Sequence, residues 1–158
     1  MKTSDKIRDR SAAVAWRRYQ GGPVVFTNGV FDLLHPGHVE LLERARSEGS
    51  ALVVGLNSDH SVRSLEKGTD RPLVPQAARA RVLAALEAVG CVVLFEEPTP
   101  LELITALEPD VLVKGADYAR NQIVGADLVE RGGGRVIRVQ LVGGYSTTTL
   151  VERLRASS

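Results

Sequence analysis

The amino-acid sequence predicts an α/β fold, a three-layer sandwich in which a five-stranded parallel sheet lies between two layers of helices. Three observations predict it. Five short, valine-rich runs, at residues 23–27, 51–56, 91–95, 111–113 and 135–139, mostly lack in–out alternation, as strands buried on both faces do. Between them lie segments whose apolar residues recur three and four apart, the spacing of one helix face. Alternation of strand and helix along the chain is satisfied by right-handed crossovers into a parallel sheet covered on both sides. With 158 residues, the chain suits one domain, 1–158, with an N-terminal helix (1–20) and a core (21–158).

The elements follow in order. Residues 3–19 read as an amphipathic helix with Ile7, Val14 and Trp16 on or near one face, packing against the domain. After the first strand, 37–47 carries Val39, Leu42 and Ala45 at helical spacing, and Gly49 suits its end. The second strand leads into 58–75, a polar stretch with Lys67-Gly68 and Arg71-Pro72 that reads as a loop with at most one short helix. Residues 75–89 form a helix through Val82, Leu83, Leu86 and Val89, with Pro75 in its first turn and Gly90 at its end. The helix at 100–107 starts with Pro100 behind a candidate N-cap, Thr99. A further helix spans 125–131, and Gly132-Gly133-Gly134 reads as the turn into the last strand. Leu150, Val151 and Leu154 mark a final helical pattern behind Ser146-Thr147-Thr148.

Composition narrows the functional classes. The net charge of +1 argues for no nucleic-acid or membrane surface, so anion selectivity must be local. Cys91 is the sole cysteine, which excludes an intrachain disulfide and a cysteine-rich zinc site; its apolar neighbours make it a core thiol. No run reaches the length of a membrane span, and the charged first twenty residues lack the apolar stretch of a signal peptide. The expectation is a cytoplasmic protein.

Chemistry concentrates where the first strand runs into Thr27-Asn28-Gly29-Val30-Phe31-Asp32-Leu33-Leu34-His35-Pro36-Gly37-His38. A helix beginning near Gly37 presents backbone N–H groups and a partial positive charge, and Gly37 lets a phosphate approach closely. Two imidazoles three residues apart across that turn can point at the same phosphate oxygens and donate hydrogen bonds to them, whether neutral or protonated. Metal ligation by the pair is the competing reading, and no third ligand has an obvious place. A dinucleotide-binding oxidoreductase does not fit, because the first turn lacks Gly-x-Gly-x-x-Gly.

This twelve-residue stretch resembles the His-x-Gly-His signature of the cytidylyltransferase-like nucleotidyltransferases. The segments Gly55-Leu56-Asn57-Ser58-Asp59, Leu86-Glu87-Ala88-Val89, Thr99-Pro100, Asp110 to Tyr118 and Gly144-Tyr145-Ser146-Thr147-Thr148 are similar to one branch, the adenylyltransferase domain of bifunctional heptose kinase/adenylyltransferases. The resemblance covers about residues 23–155 and implies a Rossmann-like nucleotidylyltransferase fold. It implies AMP transfer from ATP to a sugar phosphate such as D-glycero-D-manno-heptose 1-phosphate, with Mg²⁺ held mainly by the substrate phosphates, no covalent intermediate, and a homodimer allowed. A cytidylyl- or adenylyltransferase acting on glycerol 3-phosphate or another phosphorylated small molecule is the neighbouring alternative. A non-catalytic nucleotide sensor on the same fold is a further one.

The resemblance assigns His35, His38 and Lys67 to catalysis. Backbone atoms of Thr27, Asn28, Gly29 and Phe31 would line the nucleotide pocket, with Gly37, Arg79, Lys114, Gly115, Asp117 and Tyr118 around the nucleotide. Asp32 would either sit by the reacting phosphates or fix the turn through backbone N–H groups. Ser146, Thr147 and Thr148 would bond the phosphates, cap the last helix, or both. Asn57 and Asp59 would position the acceptor or form an Asx turn, and Arg71 would bind the acceptor or remain, like Lys67, a solvated cation. Ala77-Ala78 departs from the acidic or amide residues common in the family just before Arg79.

Overall fold

A computed structural model of the chain describes residues 1–65, 70–141 and 146–157. Five strands, β1 (Val24–Gly29), β2 (Ala51–Asn57), β3 (Cys91–Phe95), β4 (Val111–Gly115) and β5 (Arg135–Val139), form one sheet in the order β3-β2-β1-β4-β5, with every pairing parallel. The chain starts at the centre, winds outward through β2 to β3, then crosses back to β4. Loops leaving β1 and β4 therefore diverge, and in an open parallel sheet that switch point is where ligands bind.

The absence of alternation in the strands has the expected cause. Val24, Phe26, Val53, Cys91, Val93 and Leu112 belong to one buried cluster, whereas Val25, Leu52, Val54, Val92, Val111 and Val113 belong to another. The first cluster is closed by Ala13 of α1 (Arg10–Arg18), Leu103, Ile104 and Leu107 of α5 (Leu101–Leu107), and Ala126 and Val129 of α6 (Ala126–Arg131). The second is closed by Leu42 and Ala45 of α2 (Pro36–Ser47) and by Ala80, Leu83 and Ala84 of α4 (Gln76–Ala84). Successive residues of a strand thus face opposite helical layers, which makes the three-layer sandwich. Only β5 differs: Arg135 and Arg138 are exposed along it, charges that blunt a sheet edge.

Two expectations about elements change. Residues 3–19 are not one helix. A 3-10 turn (Thr3–Lys6) is followed by an extended residue, Ile7, bridged in parallel to Val92, and Arg8 donates its N–H to the Val92 carbonyl at 3.0 Å. Asp9 then caps α1 by accepting from the Ala12 N–H at 2.7 Å. The open edge of β3 offers backbone partners that outcompete helix continuation at this point. The helix expected at 75–89 ends at Ala84, and 85–89 continue as turns that close onto Leu83 and Leu86 carbonyls. The polar stretch 58–75 holds, among its described residues, the short helix that its reading allowed, α3 (Asp59–Ser64), capped by Ser58 Oγ accepting from Ser61 N–H at 3.1 Å. The last helix, α7 (Thr147–Ala156), lies as expected, with Ser146 as its N-cap. Among the described residues no helix is long and apolar enough to cross a membrane.

Candidate active site

The His-x-Gly-His turn is built by its own side chains. His35 is the N-cap of α2, and its Nδ1 accepts from the Gly37 N–H at 3.1 Å. One turn on, His38 Nδ1 accepts from the His35 N–H at 3.3 Å. The two rings stack, with centroids 3.8 Å apart and planes at 28°. Because both Nδ1 atoms accept, the hydrogen-bond network assigns the proton of each neutral ring to Nε2. Burial lowers the pKa of His35. Burial, followed by the charge of His35, lowers that of His38 to about 4. Both rings are therefore neutral donors near pH 7, aligned side by side. The helix start itself is less open to an anion than the motif suggests: Gly37 N–H is engaged by His35, and His38 N–H reaches the His35 carbonyl at 3.0 Å.

Phe31 supports the pair from beneath. Its ring centroid lies 5.2 Å from that of His38 at 57°. Its backbone has φ 50, a left-handed conformation that is uncommon for a bulky residue. Gly29 makes room for the ring, since a Cβ there would lie 3.0 Å from Phe31 Cε2. Thr27 is fully buried and donates its hydroxyl to the Val113 carbonyl at 2.8 Å. This corrects its expected place in the pocket lining: it ties β1 to β4 below the site.

The structure selects the turn-fixing reading of Asp32. Its carboxylate is fully buried, accepts from the N–H groups of Leu73 and Val74 at about 2.9–3.0 Å, and pairs with Arg71 Nε at 2.7 Å. Arg71 is thereby placed on Asp32, with its side chain 9 % exposed, and not as a cation open to an acceptor. Arg79 is corrected in the same way. Its side chain is 0 % exposed, and its guanidinium donates to the carbonyls of Val74, Val30 and Asn57 and to Asp59 Oδ1, all at 2.7–2.8 Å. It is a brace between loops and offers no face to a nucleotide. Asp59 pairs with Arg79 through Oδ1, with its side chain 27 % exposed. Lys67, Gly144 and Tyr145 lie outside the described residues.

The ends of β1, β2 and β4 surround a cleft of about 180 Å³ whose lining includes Asn28, Gly29, Asn57, Lys114 and Tyr118. Lys114 Nζ donates to the Asn28 carbonyl at 3.2 Å and lies 4.6 Å from the centre of the Tyr118 ring. Gly115 closes β4 beneath the exposed Asp117, whose Oδ1 would meet a Cβ at that position at 2.6 Å. Sequence reasoning did not single out Leu65, Thr99, Gln122 and Val124 as lining the same cleft. Only Thr99 carried a signal, through its membership of a family-like segment. Thr147 Oγ1 donates to the Leu33 carbonyl at 3.2 Å, docking the start of α7 on the histidine turn, and Ser146 Oγ caps the helix through Thr149 N–H at 3.0 Å. Thr148 is exposed beside them.

A wider hollow, about 530 Å³, opens at the other end of the strands near Thr105, Glu108 and Arg131. Its Arg17 is committed to the Leu107 and Glu108 carbonyls and to Asp110. Cys91 is buried in β3, and burial pushes its thiol pKa up, the state of an inert core thiol. Among the described residues no group of three or more histidine, cysteine or acidic side chains could hold a metal ion, and the nearby Asp32 and Asp59 face arginines.

A family model described as cytidylyltransferase-like matches residues 26–153. The chain belongs to the cytidylyltransferase-like family. Among curated relatives, the "Bifunctional protein HldE" of Magnetococcus marinus is 60% identical over 156 residues, covering 97% of this chain and 32% of that protein. The protein of the same name from Acidiphilium cryptum is 59% identical, covering 92% and 29%. The chain thus spans about a third of the length of these cytidylyltransferase-like relatives. Two solved structures share the fold. A lipopolysaccharide core biosynthesis protein from Thermoplasma volcanium aligns with a TM-score of 0.67 at 24% identity, covering 78% of this chain and all of that one. A pantoate-beta-alanine ligase from Francisella tularensis aligns with a TM-score of 0.59 at 13% identity, covering 94% and 76%.

Proposed function

We propose that the chain transfers AMP from ATP to a sugar 1-phosphate, D-glycero-D-manno-heptose 1-phosphate in the first place, and releases pyrophosphate. The observation that carries the reading is the stacked pair of imidazoles, each accepting a backbone N–H at Nδ1 and so left with Nε2 to donate, held on a turn at the switch point of the sheet. An oxygen of the acceptor phosphate forms a bond to the α-phosphorus. The bond from that phosphorus to the bridging oxygen breaks, and pyrophosphate leaves with the electron pair. The acceptor phosphate is already ionised, so no general base is needed. Negative charge grows on the α-phosphate and the bridging oxygen, where the two Nε2–H groups donate. Each such donor is worth roughly 3–4 kcal/mol in the transition state.

The remaining assignments follow the same reading. Lys114, at the mouth of the cleft with Asn28, Gly29, Gly115, Asp117 and Tyr118, meets substrate phosphate and ribose groups, and Asn57 meets the acceptor. Ser146, Thr147 and Thr148 meet the β- and γ-phosphates, and Lys67 approaches the reacting phosphates. Mg²⁺ would come with the triphosphate, whose own oxygens suit its octahedral shell, and would reduce repulsion between the two anions. The heptose acceptor is supported by the resemblance of the Lys114–Tyr118 and Gly144–Thr148 segments to that branch and by relatives called HldE.

The test is pyrophosphate release across ATP and CTP, each with heptose 1-phosphate anomers and glycerol 3-phosphate. ATP with a heptose 1-phosphate should be turned over fastest. His35→Ala and His38→Ala should each reduce kcat by about a hundredfold or more with the fold retained. Near-normal turnover by both folded variants would remove the imidazoles from the mechanism.

A further inference from the structure

Arg79 neither lines the cleft nor touches the histidines, yet its buried guanidinium makes four hydrogen bonds near the site. A buried arginine is a poor route to stability compared with an apolar side chain of similar volume, so its placement calls for another role. Its partners come from three segments: Val30 in the turn after β1, Asn57 and Asp59 after β2, and Val74 just before α4. Val74 closes a ring of contacts, because its carbonyl accepts from Arg79 while its N–H donates to Asp32. Val30 and Asp32 flank Phe31. The residue with the left-handed backbone is thus pinned on both sides, by a guanidinium on the preceding carbonyl and by the anchored carboxylate that follows. In that conformation its ring lies between Gly29 and the His38 ring. Released from the pins, an aromatic residue would relax to the negative-φ regions that L-residues prefer, and its ring would leave His38.

We infer that Arg79 is a positioning residue for the transfer reaction: by fixing the Val30 carbonyl it holds Phe31 left-handed, and Phe31 in turn seats the His38 ring against His35. The inference rests on the proposed function for its kinetic consequence, but its structural half can be read without substrate. The effect belongs to kcat, because the donors contributed by His38 act most strongly on charge that develops in the transition state.

The experiment compares the full chain with Arg79→Lys, Phe31→Leu and the double variant. It measures kcat and the KM for ATP by pyrophosphate release, the His38 ring resonances by ¹H–¹³C NMR, and the urea midpoint. Arg79→Lys is expected to lower kcat about tenfold or more with KM changed less than threefold, and to move the resonances of His38 while leaving those of the exposed His60 in place. Phe31→Leu should do the same, and the double variant should be no worse than the worse single one, since both act along one route. A folded Arg79→Lys with wild-type His38 resonances would overturn the inference, as would kcat losses that multiply in the double variant. If Arg79→Lys does not fold, Phe31→Leu decides alone: unchanged His38 resonances overturn the proposal. Wild-type protein that releases no pyrophosphate with any acceptor would sink the proposed reaction instead, and the resonances would still test the positioning.

Discussion

The partial burial of His38 has a consequence for stability that can be worked through. Its folded-state pKa is lowered from 6.5 to about 4 by burial and by His35, while in the unfolded chain it returns to about 6.5. Above pH 6.5 the ring is neutral in both states and the full stability is present. As pH falls below 6.5 the unfolded chain takes up a proton that the folded chain refuses, so stability drops by about 1.4 kcal/mol per pH unit. The loss levels off once pH passes the folded-state value near 4. At pH 4.5 the deficit from His38 alone is on the order of 2–3 kcal/mol, and the lowered pKa of His35 acts in the same direction. With a urea dependence of roughly 1–3 kcal/mol per molar, the unfolding midpoint should fall on the order of 1–2 M between pH 7 and pH 4.5. The assay is urea unfolding at both pH values for the wild type and His38→Gln. Every other titrating group is common to both proteins and cancels in the difference. The variant should lose less stability than the wild type by about 2–3 kcal/mol. Equal acid sensitivity in the two proteins would refute the reasoning, as would a His38 ring that titrates near its ordinary value.

Two further outcomes are expected. A Cβ at Gly49 would lie 2.5 Å from the Pro23 carbonyl oxygen and 2.7 Å from Val25 Cγ2, so Gly49→Ala should cost roughly 1–3 kcal/mol and lower Tm by roughly 3–10 °C; an unchanged Tm in a thermal scan would show that this corner yields without strain. Lys114→Met keeps the length of the side chain and removes its charge from the cleft, so the KM for one substrate should rise about tenfold or more, the scale of a lost charged hydrogen bond; initial rates at varied ATP and acceptor that leave both KM values untouched would count against the cleft as the binding site.

The layered architecture was legible in the sequence because burial on both faces leaves a direct trace. Val53, Val54, Val92 and Val93 need no alternation when each neighbour faces a different helical layer. The His35–His38 turn was legible because its parts are close along the chain: cap, glycine and second histidine span one turn of α2. The N-terminal segment was misjudged at Ile7, where pairing with Val92 depends on a strand edge more than eighty residues away in the chain. The loop cations were harder still. Lys67 and Arg71 look alike as charged residues in a polar stretch, and only the fold brings Arg71 onto Asp32.

The sequence by itself determined the five strands, the helical layers on either side of them, which faces are apolar, and where two imidazoles and a helix start would meet. Those properties belong to single segments, and residue spacing records them. Only the tertiary structure decided that Arg79 braces three segments, that Asp32 pairs with Arg71, and that Phe31 turns left-handed beneath His38. A donor's partner is set by the path of the chain in space, and any of several nearby carbonyls or carboxylates satisfies it equally well until that path is fixed.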